Sequence, residues 1–255
     1  MSTTRIATYR GRQSLTGATA FFFERDGRLY AVTSRHVLHD PASGHFPDRV
    51  ELTLHLDERN LTRTALFSVP LYADERAVWR QGVDSQGEVD VAVIELHPDA
   101  IGGEAAIRPF RPEHLRIPES GVAAGEPLLV VGFPLGFYDT VHHLPVVRHA
   151  IVSSAFGVRF QGQGYFLTDG RLHRGSSGSP VLMRRPADTG AMPWVLLGVH
   201  SSRMDVGTRD QEQDESLGLN CAWYADMLMT LTAIDASPNP AASGPRQAKA
   251  TGRST

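Results

Sequence analysis

Short runs of β-branched, aromatic and aliphatic residues recur along this chain of 255 residues, and turn signals such as Asp26-Gly27 and Gly157 separate them. This pattern is typical of an all-β barrel or sandwich. The 24 glycines and 16 prolines favour the same turn-rich architecture over a helical one. The strands are predicted at residues 18–23, 28–33, 50–56, 65–71 and 89–96, and at residues 127–133, 146–153, 165–168, 180–183 and 194–201.

The predicted strands fall into two groups, which a connector rich in proline, glycine and charge separates at residues 108–125. We therefore expect one barrel at about residues 5–107 and a second at 126–220. Trp223, Met227, Leu228 and Leu231 then follow at helical spacing, so a C-terminal helix is predicted over residues 221–234. Residues 235–255 are mostly proline, alanine, serine and glycine with three basic residues, and we predict a disordered tail there.

Composition limits the class of protein and its partners. The net charge is −3 and no basic stripe is present, which argues against a nucleic-acid partner. The single cysteine, Cys221, excludes an intramolecular disulfide and favours a reducing compartment. The N-terminus is polar, with no apolar signal segment, and no apolar stretch reaches about 18 residues. We therefore expect a cytoplasmic protein that does not enter a membrane.

Three short motifs carry residues with catalytic chemistry. A histidine follows a predicted strand, an acid opens another strand, and a serine lies in a glycine-rich turn. They are residues 33–37 (TSRHV), 90–94 (DVAVI) and 175–180 (GSSGSP). This order of histidine, aspartate and serine along the chain is one of the orders in which a Ser-His-Asp triad occurs in hydrolases.

The residue types agree with nucleophilic catalysis by a serine. The hydroxyl of Ser177 is a weak nucleophile near neutral pH and needs a base within hydrogen-bond distance. His36 can supply that base because imidazole titrates near neutrality. Asp90 would orient the imidazole and stabilise its charged form. Each motif by itself also occurs in ordinary loops and strand ends, so the prediction depends on all three together.

Other hydrolase classes fit less well. An α/β-hydrolase needs Gly-x-Ser-x-Gly, but Ser179 stands where the second glycine is required. No His-Glu-x-x-His motif is present, and the pair His142-His143 is better explained as loop residues than as metal ligands. We therefore expect neither a metal nor a cofactor.

The chain resembles a trypsin-like (chymotrypsin-fold) serine protease, in the branch that contains Deg-type and glutamyl endopeptidases. The resemblance extends from residue 17 to residue 234 and implies two six-stranded antiparallel β-barrels with a C-terminal α-helix, forming one protease domain at 1–234. It also implies that Ser177 is the nucleophile and that the N–H groups of Gly175 and Ser177 form the oxyanion hole. The matching motifs are residues 17–21 (GATAF), 33–37, 90–96, 131–134 (VGFP), 168–181 and 198–201 (GVHS).

The resemblance further implies how substrate binds. Residues 198–203 would form the edge strand that pairs with an extended polypeptide, with Ser201 bonded to the triad aspartate and Ser202 beside it. In glutamyl endopeptidases a histidine at the place of His200 binds the carboxylate of the P1 residue, and Arg174 and Arg203 would add positive charge here. The alternative is that His200 only packs inside the second barrel and the arginines are solvated.

The base of the specificity pocket, near Arg171-Leu172, holds no acid, so we do not expect cleavage after lysine or arginine. A further hypothesis is that residues 133–145 form a mobile loop over the cleft. The expected protein is a cofactor-free intracellular serine endopeptidase acting on polypeptides. The alternative is a latent enzyme or pseudo-protease that binds a peptide or partner, activated or held by a partner protein, as in a bacterial defence or stress system.

Overall fold

A computed structural model of the protein describes residues 1–101, 105–115, 117, 121–185, 192–204 and 217–234. The predicted tail at residues 235–255 and parts of the predicted connector lie outside these residues. The first half contains strands β1 (Thr3–Arg10), β2 (Gln13–Arg25), β3 (Arg28–Thr33), β4 (Arg49–His55), β5 (Thr64–Pro70), β6 (Tyr72–Ala73), β7 (Arg76–Ala77), β8 (Trp79–Asp84) and β9 (Gly87–Leu96). The second half contains β10 (Pro127–Gly132), β11 (Val146–Val152), β12 (Tyr165–Asp169), β13 (Pro180–Arg184), β14 (Trp194–Arg203) and β15 (Leu219–Tyr224).

Helices are short and lie between or after the strands. The α-helices are α1 (Arg35–Leu38), α2 (Pro98–Ile101) and α3 (Met227–Leu231), and single 3₁₀ turns occur at Pro112–Leu115, Pro134–Gly136 and Phe160–Gly162. None of the helices in the described ranges is long and apolar enough to cross a membrane.

All strands except β6 and β7 belong to two antiparallel sheets, one in each half of the chain. The first has seven strands in the order β5-β4-β1-β2-β3-β9-β8, with β6 and β7 pairing separately. The second is a closed barrel in the order β10-β11-β12-β15-β14-β13. The predicted all-β double-barrel class is confirmed, and each of the ten predicted strands overlaps an observed one. The expected count of six strands is met by the second barrel, whereas the first sheet has seven.

The predicted helix over residues 221–234 is wrong in its first part, because Leu219–Tyr224 form β15. This strand pairs with both β12 and β14, so that Trp223 lies opposite Tyr165 and Val199, and it thereby closes the second barrel. Only Met227–Leu231 are helical. The apparent helical spacing arises because a strand and then a helix direct apolar side chains into one cluster between the barrels, which contains Trp223, Leu228 and Leu231.

Three apolar clusters hold the fold together, one inside each sheet and one between them. Strand β2 shows how they connect, since Phe22 packs inside the first sheet while Phe21 and Phe23 pack between the two units. Alternate residues of a strand face opposite sides, so β2 is buried on both faces and all three rings are at most 2% exposed. Each such ring contributes about 1.5–3 kcal/mol by burial, which fixes the two units against each other.

Candidate active site

His36 lies on α1, the short helix that follows β3. Val37 and Leu38 are buried and anchor this helix in the first sheet, which leaves His36 at the surface facing the second barrel. Ser34, before the helix, accepts a hydrogen bond at its carbonyl from the Val37 N–H (3.1 Å) and donates its hydroxyl to the His200 carbonyl (3.2 Å). This contact ties the end of β3 to β14, so the position of His36 depends on both barrels.

Asp90 lies near the start of β9, on the strand face opposite Val89 and Val91, which pack between the barrels. Its Oδ2 is 2.7 Å from His36 Nδ1, and its Oδ1 accepts the backbone N–H of His36 at 2.8 Å. The hydroxyl of Ser201 donates to the same Oδ2. Because the carboxylate accepts from Nδ1, His36 is held as the tautomer whose Nε2 is an acceptor.

Ser177 completes the row of side chains. Its Oγ is 3.0 Å from His36 Nε2, and the same hydroxyl can donate to the Ser201 carbonyl, also at 3.0 Å. A hydroxyl has a single proton, so these two acceptors compete for it. The structure therefore brings together the three side chains that the motifs single out, with His36 within hydrogen-bond distance of each of the other two.

The turn that carries Ser177 requires glycine at two positions. Gly175 and Gly178 have φ of +90° and +84°, a region that residues with a Cβ rarely adopt. A Cβ on Gly175 would overlap the Phe133 carbonyl, and one on Gly178 would overlap the Thr19 carbonyl and the Thr33 hydroxyl. The turn is therefore packed tightly against β2, β3 and the end of β10.

Thr19 of β2 holds this turn in place, a role that sequence reasoning missed. Its hydroxyl donates to the Gly175 carbonyl (2.8 Å) and accepts the Phe133 N–H (3.0 Å), and its own N–H donates to the Ser177 carbonyl (3.0 Å). Thr33 in turn donates its hydroxyl to the Thr19 carbonyl (2.8 Å). The only signal in the sequence is the position of Thr19 inside the motif at residues 17–21.

Two backbone donors of the turn are left without an acceptor. The N–H of Ser176 donates to His173 (3.1 Å) and that of Gly178 to His200 (2.8 Å), whereas those of Gly175 and Ser177 meet no acceptor among the described residues. The N–H of Leu135 donates a hydrogen bond to the carbonyl of Arg174, which belongs to the same peptide group as the Gly175 N–H, at 2.5 Å. A trans peptide directs its N–H opposite to its carbonyl, so the Gly175 N–H points away from Leu135. Such paired donors can stabilise an oxyanion that develops beside the serine.

Protonation of the site follows from its contacts. Burial opposes the charged form of His36, but the hydrogen bond and the negative charge of Asp90 outweigh it and raise the pKa of this imidazole. Burial likewise opposes ionisation of Asp90, yet its hydrogen bonds from His36 and Ser201 hold the pKa of this carboxyl below its usual range. The guanidinium of Arg35 lies 3.9 Å from Asp90 Oδ1 and disfavours the imidazolium. The aspartate is therefore ionised near neutral pH.

His200 does not have the environment expected of a charged ligand for a carboxylate. It is 3% exposed, and burial followed by the charge of His36 lowers its pKa to about 4. Its Nδ1 has no partner within the described part of the chain. The role of His200 in binding a P1 carboxylate stays a prediction, and these observations favour the alternative that it packs in the second barrel.

Three of the four other expected substrate-binding residues lie at the surface near Ser177. Ser201 is buried against Asp90, whereas Ser202 and Arg203, which follow it on β14, are exposed. Arg174 is exposed on the turn itself. A cavity of about 320 Å³ lies beside the turn, and its lining includes Asp169, Arg171, Leu172, His173, Arg203 and Asn220. Neither Arg174 nor His200 is part of this lining.

The loop at residues 133–145 contacts the first sheet and is held by contacts of its own residues. His55 Nε2 is 2.7 Å from the His142 carbonyl, Asp139 Oδ2 is 2.8 Å from His142 Nδ1, and the rings of Tyr138 and His143 stack at 5.9 Å. Its other end exposes Leu135 and Phe137, at 70% and 72%. Motion of this loop over the cleft stays a prediction.

Comparison with known proteins identifies the family of the chain. Residues 18–185 match the model of the trypsin-like peptidase domain. No curated protein sequence matches the chain.

Among solved structures, the serine endoprotease from Yersinia pestis is similar with a TM-score of 0.52 at 14% identity, covering 90% of this chain. The chain spans 60% of the length of that protein. The inactive form of the Rv3671c protease of M. tuberculosis H37Rv has a TM-score of 0.47 at 16% identity, covering 91% of this chain and 89% of that one. Because the family model matches more than half of this chain, the chain belongs to the trypsin-like peptidase family.

Proposed function

We propose that the chain hydrolyses peptide bonds with Ser177 as nucleophile, His36 as general base and acid, and Asp90 as the group that orients His36. One observation carries the proposal: His36 lies between the two, with Nδ1 2.7 Å from Asp90 and Nε2 3.0 Å from Ser177. General acid–base catalysis requires such contacts before any pKa matters.

In the first half-reaction, Ser177 Oγ forms a bond to the carbonyl carbon of the peptide and its proton passes to His36 Nε2. The carbon–nitrogen bond then breaks, and the same proton goes from Nε2 to the leaving amine. In the second half-reaction a water loses its proton to His36 and attacks the acyl group, and Ser177 recovers its proton as the acid product leaves. Asp90 stays ionised throughout and stabilises the imidazolium.

The backbone N–H groups of Gly175 and Ser177 would receive the negative charge that develops on the carbonyl oxygen. Neither N–H meets an acceptor in the part of the chain that the structure describes, which supports this role. Removal of one such donor in a protease costs about 2.7–4 kcal/mol of transition-state stabilisation, so the shape of the turn matters as much as the side chains.

The proposed substrate is a polypeptide that pairs with the end of β14. Residues Ser201, Ser202 and Arg203 end this strand beside Ser177, and the last two are exposed. An extended peptide laid along them places one carbonyl next to the nucleophile, main chain to main chain. We also propose that the enzyme works in a cytoplasm, on the ground that its one cysteine, Cys221, is free and buried.

The test is covalent labelling by a fluorophosphonate followed by cleavage of a peptide library. Wild-type protein should be labelled, Ser177→Ala should not be, and His36→Ala should react roughly 10²–10⁴-fold more slowly because the base is lost. Ser68→Ala is the matched control, since Ser68 is exposed on β5 of the first sheet.

Labelling that persists in Ser177→Ala would refute the assignment of the nucleophile. Folded wild-type protein that takes up no probe would overturn catalysis itself and favour a latent enzyme or a module that binds a peptide or partner. Circular dichroism on every variant separates loss of chemistry from loss of folding.

A further inference from the structure

The cavity of about 320 Å³ next to the Ser177 turn has walls that connect directly to the reacting groups. On one side, the carbonyl of His173 accepts the Ser176 N–H at 3.1 Å. On the other, Arg203 follows two residues after Ser201, whose carbonyl lies 3.0 Å from Ser177 Oγ. A side chain that precedes a bond under attack by Ser177 would therefore enter this cavity.

The charge around the cavity is mainly positive. Arg171 and Arg203 line it, and Arg148 donates to the Arg171 carbonyl at 2.6 Å, which brings a third guanidinium close. Asp169 is the one carboxylate among the described lining residues. Arg171 and Arg203 are both exposed, and neither forms an ion pair with a carboxylate of the described residues.

The rest of the wall is apolar or occupied by internal contacts. Leu172 is 3% exposed and gives the cavity an apolar surface. The side-chain amide of Asn220 is occupied by the cavity wall itself, since its Nδ2 donates to the carbonyls of Gly170 (2.9 Å) and Gly218 (3.0 Å). A short hydrocarbon stem that ends in a carboxylate fits this combination, because the stem meets Leu172 while the carboxylate meets arginine.

We propose that Arg171 and Arg203 make this cavity a P1 site selective for acidic side chains, glutamate or aspartate. The proposal rests on the proposed peptidase function. It assigns the recognition of charge to two surface arginines rather than to the buried imidazole of His200. Lysine or arginine at P1 is repelled by the same two guanidiniums.

The experiment uses diphenyl phosphonate probes that differ only in the P1 side chain: glutamate, glutamine, leucine or lysine mimics. Such probes report P1 preference by the rate of covalent labelling, even where peptide turnover is slow. Wild-type protein should react with the glutamate probe roughly tenfold or more faster than with the glutamine probe, as expected for one charge-assisted contact. The ratio should fall as salt is raised, because the arginines are exposed.

The variants are Arg171→Gln, Arg203→Gln and the double substitution, with Arg59→Gln as control in an exposed turn of the first half. Each single change should lower the ratio of glutamate to glutamine labelling several-fold, and the double change should abolish the preference. The uncharged leucine probe provides the reference rate for each variant, because a general change in reactivity alters the glutamate and glutamine rates alike and leaves their ratio unchanged.

Two results would overturn the proposal. One is equal labelling of wild type by the glutamate and glutamine probes, and the other is an unchanged ratio in the double variant. The fluorophosphonate separates this failure from that of the proposed function. Protein that it labels at Ser177 without any acidic preference loses only the specificity proposal, whereas protein that no probe labels loses both.

Discussion

Replacing Thr19 with valine should loosen the Ser177 turn without changing any group that touches substrate. The side chain is fully buried, and valine keeps its shape but removes the hydroxyl. The change leaves the Gly175 carbonyl and the Phe133 N–H without the partner that now lies at 2.8 and 3.0 Å. An unsatisfied buried polar group costs about 1–3 kcal/mol, so the two together cost about 2–6 kcal/mol.

For a domain of this size we expect Tm to fall by roughly 5–20 °C. Because the Gly175 carbonyl belongs to the turn that presents the two free N–H donors, fluorophosphonate labelling per folded molecule should also slow. The loss has an upper bound of roughly 10²–10³-fold, the effect of removing one oxyanion donor outright. Thermal unfolding and the labelling rate, measured on the same preparation below the new Tm, give both quantities.

Thr8→Val is the matched control for this prediction. Thr8 is also fully buried, on β1, and its hydroxyl accepts the Thr16 N–H at 3.1 Å rather than contacting the Ser177 turn. This variant should lose stability but label at the wild-type rate per folded molecule. If Thr19→Val labels as fast as Thr8→Val, the turn does not depend on Thr19 and the reasoning is refuted.

Three further predictions concern titration and backbone geometry. Burial and the guanidinium of Arg35 each lower the pKa of His36, but the hydrogen bond and charge of Asp90 raise it by more, so the net shift is upward. Arg35→Gln removes one of the two opposing effects, so the pKa of His36 should rise further. Because His36 acts as a base only above its pKa, the acid limb of the kcat/KM profile should move to higher pH in this variant. An acid limb that does not move contradicts the prediction. The pKa of His200 is about 4 in the folded protein and about 6.5 in the unfolded chain, so the unfolded chain binds a proton first as the pH drops from 6.5 to 4. The free energy of unfolding of wild type should therefore fall by roughly 3 kcal/mol more than that of His200→Gln, as measured by urea unfolding. Gly178→Ala should lower the free energy of unfolding by more than about 3 kcal/mol, because the added Cβ overlaps backbone atoms. Gly27→Ala, at φ +74° with open space around it, should lower it by only about 1 kcal/mol. Equal losses in the two variants would show that the φ angle alone decides the cost.

Much of the fold could be predicted from local sequence, for a physical reason. A strand that is buried on one or both faces has a run of β-branched and aromatic residues, and the turn between strands needs glycine, proline or aspartate. All ten predicted strands follow this rule. Strand β1 was not predicted, because Thr3, Thr4 and Thr8 are polar residues that are buried by pairing and by hydrogen bonds such as that of Thr4 to the Thr53 carbonyl.

Strand β15 shows why spacing can mislead. Trp223 on this strand and Leu228 on α3 reach the same cluster between the barrels, so their spacing matches one helical face. The chain adopts a strand there because β12 and β14 leave a gap that only another strand closes, with Asn220 opposite Thr168 and Ala222 opposite His200. Pairing with strands distant in sequence outweighed the local pattern.

The candidate site divides in the same way. The all-β class and the approximate strands could be predicted from the sequence, because they depend on residue type and on local pattern. The assignment of His36, Asp90 and Ser177 as a triad also came from local motifs, and it stays a prediction. The contacts within the site come from tertiary structure: His36 lies 2.7 Å from Asp90 and 3.0 Å from Ser177, and Thr19 holds the turn. The same holds for the burial of His200 and for the cavity that Arg171 and Arg203 line. Distances and burial of this kind arise from the register of strands far apart in the chain and from the packing of the two units. Neither can be predicted from the residues that adjoin a position in the sequence.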